Sequence, residues 1–287
     1  MKRLLLCLFT TLLLAGCSDA VTYMIDNPNS PTLELEIDDT TYLIPSGVSL
    51  EISLEPGLHR MRSKQLGELQ FIVYKGGAGG LINPTLSDYV IARETYVTDE
   101  SKLKNFGSIE STILLDGVPF TGSLELRNQL FIDKTWRFPV QEPFPQQVTG
   151  HVSEHGGNIF SKIFRRDEFV EYYEENHGIP GYFAAQRDEE AARAPRQLVR
   201  APSELPRLEE PYEPHTGPLR EIYAQRLKAT EVSEQERLQK AYFDAQMAYT
   251  RTTATFGSKA SREANLAANH FVSTLAAAMG SSALVLP

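Results

Sequence analysis

The sequence predicts an α+β protein, with an N-terminal antiparallel β-sandwich-like domain followed by a proline-rich linker and C-terminal α-helices. Through residues 17–150, apolar and polar side chains alternate with a period of two, which is typical of strands with one buried face. Prolines then concentrate in residues 184–218, where hydrophobic periodicity is lost. In residues 219–287 the apolar residues recur with a helical period, and the intervening residues 151–183 are predicted as a helical extension.

The first residues of the chain predict a secretory signal peptide, residues 1–16. Lys2 and Arg3 form a basic start, and an apolar run from Leu4 to Leu14 follows, interrupted only by two threonines. The run is too short to cross a bilayer as a helix, which requires about 20 apolar residues. It therefore indicates export rather than a membrane-spanning segment.

The apolar run ends in Leu14-Ala15-Gly16-Cys17, and this tetrapeptide resembles the lipobox of bacterial lipoprotein precursors. The resemblance implies that the bond before Cys17 is cut and that Cys17 becomes a lipidated first residue, carrying acyl chains such as palmitate. Several acyl chains anchor a protein stably, because each buried methylene contributes about 0.8 kcal/mol. An ordinary secretory signal that happens to contain a cysteine is the alternative.

The residue after the lipobox cysteine influences whether a lipoprotein is sorted to the inner or the outer membrane. In lipoproteins of this kind an Asp at that position favours retention in the inner membrane, whereas this chain has Ser18 there and Asp19 one residue later. The resemblance therefore implies a lipid-anchored protein of the bacterial outer membrane that faces the periplasm. The inner membrane is the alternative.

Charge and cysteine content exclude several classes of function. The chain of 287 residues has a formal net charge of −9, and loss of Lys2 and Arg3 with the signal lowers it by two, to −11. Such a polyanionic chain is a poor partner for nucleic acid. Because Cys7 is removed with the signal and Cys17 is acylated, the mature protein is expected to have no catalytic thiol, no cysteine-ligated zinc and no disulfide. We predict no cofactor.

Alternating segments separated by turn residues predict a series of strands. These segments begin at Val21, Leu33, Val48, Leu69 and Tyr89, with Asn-Pro, Pro-Ser-Gly and Pro-Gly turns between the first four. Each segment places one apolar face inward and one polar face in water, as an antiparallel sheet with one solvated face requires.

Glycines and an acidic turn divide the following strands. The run Gly76-Gly77-Ala78-Gly79-Gly80 lacks the spacing of a phosphate-binding loop and is interpreted as a flexible loop between strands. Asp116-Gly117 after an apolar run predicts a tight hairpin turn. Residues 124–138 predict two further strands, and the prolines from Pro139 onward end the sheet.

Residues 33–62 resemble the PEGA-type extracellular β-module. The resemblance rests on the first strand, the turns Asp38-Asp39 and Pro45-Ser46-Gly47, and the run Glu55-Pro56-Gly57-Leu58-His59. Asp39 stands where a Gly is usual in that family. Such modules are structural or binding units, so the resemblance implies a non-catalytic role.

Residues 151–155 have the His-x-x-Glu-His pattern of inverzincin metallopeptidases. In those enzymes the two His bind zinc and the Glu activates water, which requires all three on one helix face. Glycines flank the pattern here and disfavour a helix, so a surface turn is the first interpretation. The alternative is a zinc-dependent hydrolase in which His151 and His155 bind the metal and Glu154 acts on water.

The apolar residues from Ile159 to Tyr173 lie at helical spacing and predict a helix over residues 158–176, which Gly178 and Pro180 would end. Three carboxylates of this stretch, Glu171, Glu174 and Glu175, are interpreted as a solvated helix face, with an acid/base pair as the alternative. The proline-rich segment that follows, residues 184–218, predicts an extended, semi-rigid linker. The alternative for this segment is that it wraps over the β-domain.

The C-terminal region predicts three helices. The first begins near Leu219, the second begins at a capping box that starts with Ser233, and the third spans residues 261–279 and includes His270, interpreted as a core histidine. One face of the second helix carries Tyr242 and Tyr249 among alanines. This face either packs on the sheet or pairs with another chain, and it is the predicted partner contact.

Together these patterns predict a membrane-anchored envelope lipoprotein that acts as a non-catalytic binding or assembly module. Its expected partners are the membrane, through the lipid anchor, and an envelope protein. The zinc-dependent hydrolase is the alternative of a different class, and a purely structural spacer is a third.

Overall fold

The computed structural model describes residues 19–29, 31–107, 110–192 and 194–287. The strands are β1 (Val21–Asn27), β2 (Leu33–Ile37), β3 (Thr40–Ile44), β4 (Val48–Leu54), β5 (Gly57–Ser63), β6 (Gly67–Val73), β7 (Gly80–Ile82), β8 (Tyr89–Val97), β9 (Ser111–Leu115), β10 (Val118–Gly122), β11 (Leu124–Arg127), β12 (Phe131–Asp133), β13 (Gly157–Arg165) and β14 (Ala283–Val285). The α-helices are α1 (Arg166–His177), α2 (Tyr182–Gln186), α3 (Glu189–Ala192), α4 (Gly217–Arg226), α5 (Val232–Thr253) and α6 (Arg262–Gly280). Antiparallel sheets followed by C-terminal helices confirm the predicted α+β class.

Two sheets share the largest core of the protein. Sheet 1 has the strand order β12-β7-β1-β4, and sheet 2 has the order β14-β6-β5-β2-β3. Neighbouring strands in both sheets are antiparallel, except that β7 runs parallel to β1. Apolar residues of both sheets belong to one continuous buried cluster. Burial of this apolar surface is the main favourable term for the β-rich part.

Burial follows the predicted period-two alternation in the first strands. Tyr23 and Ile25 of β1 and Leu35 of β2 are at most 1% exposed. The alternation holds only in the second half of β4, because Val48 and Leu50 in its first half are 43% and 38% exposed. The strand is at the edge of sheet 1, so its first half extends beyond the shared core.

A third sheet corrects the predicted helix over residues 158–176. Sheet 3 has the order β11-β8-β13, and β13 pairs with β8 along nine residues, Gly157–Arg165. Only the second half of the predicted helix is helical, as α1, so the predicted helical extension 151–183 contains a strand. Ile163 and Phe164 are both buried, in different clusters on the two faces of the sheet. A strand covered on both faces loses the alternation that identifies strands in a sequence.

Strand β13 also buries a charged side chain. Lys162 is only 4% exposed, and its Nζ donates hydrogen bonds to the carbonyl oxygens of Pro139 at 2.9 Å, Val140 at 3.3 Å and Ile163 at 3.3 Å. Burial lowers the pKa of the Lys162 ammonium to about 8. The three carbonyls thus replace water around the charge, and those of Pro139 and Val140 fasten β13 to the segment that follows β12.

The glycine-rich stretch between β6 and β7 packs closely at its C-terminal end, unlike the flexible loop that was predicted. A Cβ atom on Gly79 would lie 1.9 Å from the Thr22 carbonyl oxygen, and one on Gly80 would lie 2.0 Å from the Ile132 carbonyl oxygen. Gly79 also has a left-handed φ of +68°. These glycines allow β7 to enter sheet 1 between β1 and β12.

The proline-rich segment packs on the body of the protein, and its buried residues lie against the C-terminal helices, whereas the predicted alternative placed it over the β-domain. Leu205, Leu208 and Tyr212 are buried in one cluster with residues of α4, α5 and α6. The backbone N–H of Ala201 donates to the carbonyl of Val285 in β14 at 2.9 Å. The segment therefore contacts both the helices and sheet 2.

The C-terminal helices begin close to the predicted positions but differ in their caps. The Ser261 side chain accepts a hydrogen bond from the Ala264 N–H at 3.0 Å, so Ser261 is the N-cap of α6. Helix α5 begins at Val232 without a side-chain cap, so the capping box predicted at Ser233 is wrong. His270 is exposed and is not the predicted core histidine. None of the described helices combines the length and apolar composition that a bilayer crossing requires.

The helices are attached to sheet 2 through its outer strand and through Arg226 of α4. Strand β14 pairs with β6, so the end of the chain completes a sheet that begins near the N-terminus. The guanidinium carbon of Arg226 lies 3.3 Å from the centroid of the Tyr74 ring, and the Tyr74 hydroxyl donates to the Arg226 carbonyl at 2.9 Å. The two contacts hold α4 directly beside the end of β6.

Replacement of Gly79 by Ala is expected to destabilise the protein by at least about 2 kcal/mol more than replacement of Gly76 by Ala. The two glycines have similar φ angles, +68° and +73°, so the backbone strain of the two variants is similar. The new Cβ collides with Thr22 at the first position and meets nothing within 4 Å at the second. Urea unfolding measures both losses, and equal losses would contradict the close packing of this stretch.

The Lys162→Met variant is expected to lose a pH dependence of stability that the parent protein has. The folded-state pKa of Lys162, about 8, lies below the ordinary value of 10.5, so the unfolded chain binds more protons between these values. The free energy of unfolding of the parent should therefore rise with pH in this window, relative to the variant, by up to about 3 kcal/mol. Urea unfolding followed through the fluorescence of buried Trp136, from pH 7 to 10, measures the difference. Parallel pH profiles would show that the ammonium is effectively hydrated.

Candidate functional site

The predicted lipidation site, Cys17, lies outside the described residues, but Asp19, two residues later, forms an ion pair with the folded body. The Lys75 ammonium lies 3.3 Å from Asp19 Oδ2 and 2.8 Å from Glu236 Oε1. Hydrogen bonds to Glu236 and then to Asp19 raise the pKa of Lys75 above its ordinary value. The second residue after Cys17 is thereby connected to the strand–loop junction after β6 and to the first turn of α5.

The His-x-x-Glu-His residues lie in an irregular segment that ends in a turn before β13, as the flanking glycines indicate. His155 Nε2 is 3.8 Å from Glu154 Oε1, and both side chains are exposed. The backbone carbonyl of His151 accepts from Asn158 at 2.8 Å, and that of His155 accepts from Asn105 at 2.9 Å. The helix face that the zinc alternative requires is not formed. The described part of the chain contains no group of three or more His, Cys, Asp or Glu that could hold a metal ion.

The carboxylates of α1 have separate surroundings. Glu174 accepts hydrogen bonds from the backbone N–H groups of Gly181 at 2.8 Å and Phe183 at 2.9 Å, so it stabilises the turn between α1 and α2. Glu171 and Glu175 are exposed. The exposure of Glu171 and Glu175 agrees with the predicted solvated helix face. Glu174 instead makes a structural contact.

A buried carboxylate joins sheet 1 to sheet 3. Asp26 of β1 is fully buried and accepts from the Tyr89 hydroxyl at 2.6 Å and from Arg165 Nε at 3.0 Å and Nη2 at 2.6 Å. The Ser49 hydroxyl also donates to Asp26. Burial, followed by the charge of Asp26, raises the pKa of Tyr89 well above its ordinary value. The four groups come from β1, β4, β8 and β13, so they hold these strands together.

A second set of ion pairs fastens the beginning of the proline-rich region to the β9–β10 hairpin. Arg166 Nη1 and Arg187 Nε each lie 3.1 Å from Asp116 Oδ2. Arg196 pairs with Asp88, and burial raises the pKa of Asp88. Because each of these arginines already has a carboxylate partner, the set is better suited to holding the chain than to binding an external anion.

The predicted partner face of α5 lies mostly inward. Tyr249 is 6% exposed and packs against Phe271 of α6 with ring centroids 6.3 Å apart, and Tyr242 is partly buried against the same cluster. Phe243 and Met247, on an adjacent face of α5, are 67% and 44% exposed. A partner contact involving Tyr242 and Tyr249 stays a prediction. The sequence did not indicate the exposed apolar face of α5, because its residues fall outside the helical stripe that contains these two tyrosines.

A cleft opens between the C-terminal half of α5 and α6. This α5–α6 cleft is lined by Tyr212, by residues between 246 and 257, and by residues between 265 and 273, and has a volume of about 600 Å³. Its lining contains no Asp, Glu, Lys, Arg or His. Four other clefts of the described chain each contain at least one arginine in their lining. The α5–α6 cleft therefore suits a ligand that is polar but uncharged.

Two polar atoms in the wall of the α5–α6 cleft have no hydrogen-bond partner among the described residues. They are the hydroxyl of Tyr249 and the side-chain oxygen of Gln246, both buried. In contrast, the Tyr212 hydroxyl donates to Asn265 Oδ1 at 2.5 Å. Burial raises the pKa of Tyr249, so its hydroxyl remains protonated and can donate. Gln246 and Tyr249 are three residues apart and lie on one side of α5.

Exposed apolar side chains stand on both helices that form the cleft. Phe243 and Met247 project from α5, and Leu266 of α6 is 57% exposed. The cleft lining itself is uncharged and mostly polar, and these three apolar side chains lie outside it on the same two helices.

The comparisons with known proteins leave this site to be interpreted from its own residues. Family models, curated proteins and solved structures give no significant match to this chain.

Proposed function

We propose that this protein is a bacterial envelope lipoprotein, anchored through acylated Cys17, that acts as a non-catalytic binding or assembly module for an envelope protein. The proposed location is the outer membrane, facing the periplasm. The observation that carries the proposal is the tetrapeptide Leu14-Ala15-Gly16-Cys17 behind a basic start and an apolar run. The contact between Asp19 and Lys75 supports it further, because it gives the anchor a defined attachment to the folded body.

The short distance between Cys17 and Asp19 gives the proposed anchor little freedom. Only Ser18 separates the two residues, so their Cα atoms can be at most about 7 Å apart. A lipoprotein with a long tether can move away from its membrane, whereas this body would stay at the lipid surface. Such placement is suited to assembly at the membrane.

The arrangement of sheets and helices supports a binding role. We propose that sheets 1 and 2 act as a sandwich-like rigid body and that residues 184–218 act as a strap that fixes α4, α5 and α6 on it. The buried contacts of Leu205, Leu208 and Tyr212 support the strap. A rigid body of this kind holds the uncharged α5–α6 cleft at a fixed position relative to the anchor.

The anchoring is tested by mass spectrometry of the native N-terminus together with membrane fractionation. The parent protein is expected to begin at Cys17, to carry acyl chains and to be found in the outer membrane fraction. Cys17→Ala is expected to lose all detectable acylation, because alanine has no thiol to acylate.

Cys7→Ala is the matched control for this experiment, since it removes the other cysteine of the chain but leaves the proposed cleavage site intact. It should be acylated like the parent. A parent protein with an unmodified N-terminus, or one cleaved at another bond, would overturn the proposed anchoring.

A further inference from the structure

We infer that the α5–α6 cleft binds an uncharged peptide segment of a partner protein and contacts that segment mainly through its main chain. The inference rests on the proposed function, since it names the chemistry of the partner that a binding module would take. It depends on three features of the cleft: the unpaired polar atoms, the lack of charge and the apolar side chains beside it.

The unpaired atoms indicate what the ligand must offer. Buried polar groups are nearly always hydrogen-bonded, and an unpaired one costs about 1–3 kcal/mol. The Tyr249 hydroxyl can donate a hydrogen bond, and the Gln246 side-chain oxygen can accept one. A peptide unit can pair with both atoms, because its carbonyl accepts a hydrogen bond and its N–H donates one.

The uncharged lining of the cleft disfavours charged ligands. Carboxylate, phosphate and ammonium groups would lose hydration on entering the cleft without gaining a charged partner there. Peptide units are polar and neutral, so they avoid this cost. The volume of about 600 Å³ falls within the range of about 300–1,000 Å³ that is usual for ligand sites.

The apolar side chains beside the cleft favour a peptide over another neutral polar ligand such as a sugar. Phe243, Met247 and Leu266 offer aliphatic and aromatic surface on both helices. This surface complements apolar side chains of a bound segment, and methionine adapts well to varied peptide side chains. A sugar gains less from this aliphatic surface, because it carries a hydroxyl on nearly every carbon.

The inference is tested with two matched libraries of N-acetylated, C-amidated heptapeptides and the full-length protein in detergent micelles. One library contains only uncharged residues, with Leu or Phe at two positions, and the other adds Lys or Glu at the centre. The uncharged library is expected to yield peptides that bind saturably, and the charged library is expected to bind at least about tenfold more weakly.

Two isosteric variants locate the binding. Tyr249→Phe and Gln246→Met are each expected to weaken the best uncharged peptide by about tenfold, because each removes one proposed hydrogen bond. Gln239→Met, at an exposed position of the same helix outside the cleft lining, should bind like the parent. Thermal unfolding checks the fold: Tyr249→Phe should be as stable as the parent or more stable, since the deleted hydroxyl has no partner in the free protein.

Three results would contradict the inference that the cleft binds a peptide. The inference is overturned if no peptide of the uncharged library binds, if binding is unchanged in both isosteric variants, or if chitotetraose binds in a Tyr249-dependent way and the peptides do not. The Cys17→Ala protein should bind the same peptide as the parent does. A parent protein that binds the peptide but is not acylated would therefore refute only the anchor, and an acylated parent that binds no peptide would refute only the cleft.

Discussion

The placement of the helices depends on three consecutive residues at the end of β6, because the chain there contacts α4, α5 and β14. The Gln235 side chain of α5 accepts from the Lys75 N–H at 2.8 Å and donates to the Val73 carbonyl at 3.0 Å. Between these residues, the Tyr74 ring stacks on Arg226 of α4. Burial lowers the pKa of Arg226 to about 10, and within the described residues it is the aromatic face and carbonyl oxygens, not a carboxylate, that hold the guanidinium. These contacts hold α4 against the end of β6, although Arg226 Nε has no hydrogen-bond partner among the described residues.

Much of the β-rich part could be predicted because its signals are local. Alternation over five to seven residues and the turn at Asp116 identify strands without knowledge of their partners. The strands that were not predicted depend on residues far away in the sequence. Strand β14 contains only three residues and exists because β6, about 210 positions earlier, offers a free edge. Strand β13 resembles a helix in the sequence because both of its faces are buried, so Ile163 and Phe164 are apolar in succession.

The candidate site could be predicted only in part, for a similar reason. The apolar stripe of α5, with Tyr242 and Tyr249, follows from helical periodicity within one segment. The cleft depends on how α6 and the proline-rich segment pack against α5, and no pattern in the sequence records that Tyr249 is left without a hydrogen-bond partner while Tyr212 reaches Asn265. Buried ion pairs were missed likewise, since Asp26 and Arg165 are 139 positions apart. Such pairings depend on how separate elements pack together, and the periodicity of one segment carries no information about that packing.

The geometry of α5 relates the proposed anchor to the cleft. Lys75 contacts both Asp19, two residues after Cys17, and Glu236 in the first turn of α5. The cleft begins ten residues further along the same helix, at Gln246, which corresponds to about 15 Å at 1.5 Å per residue. With Cys17 in the lipid, the cleft would therefore stay within a few tens of ångströms of the membrane surface. A partner would have to present its uncharged segment close to that surface, and this restriction would select membrane-bound partners over freely diffusing ones even if both carried the same segment.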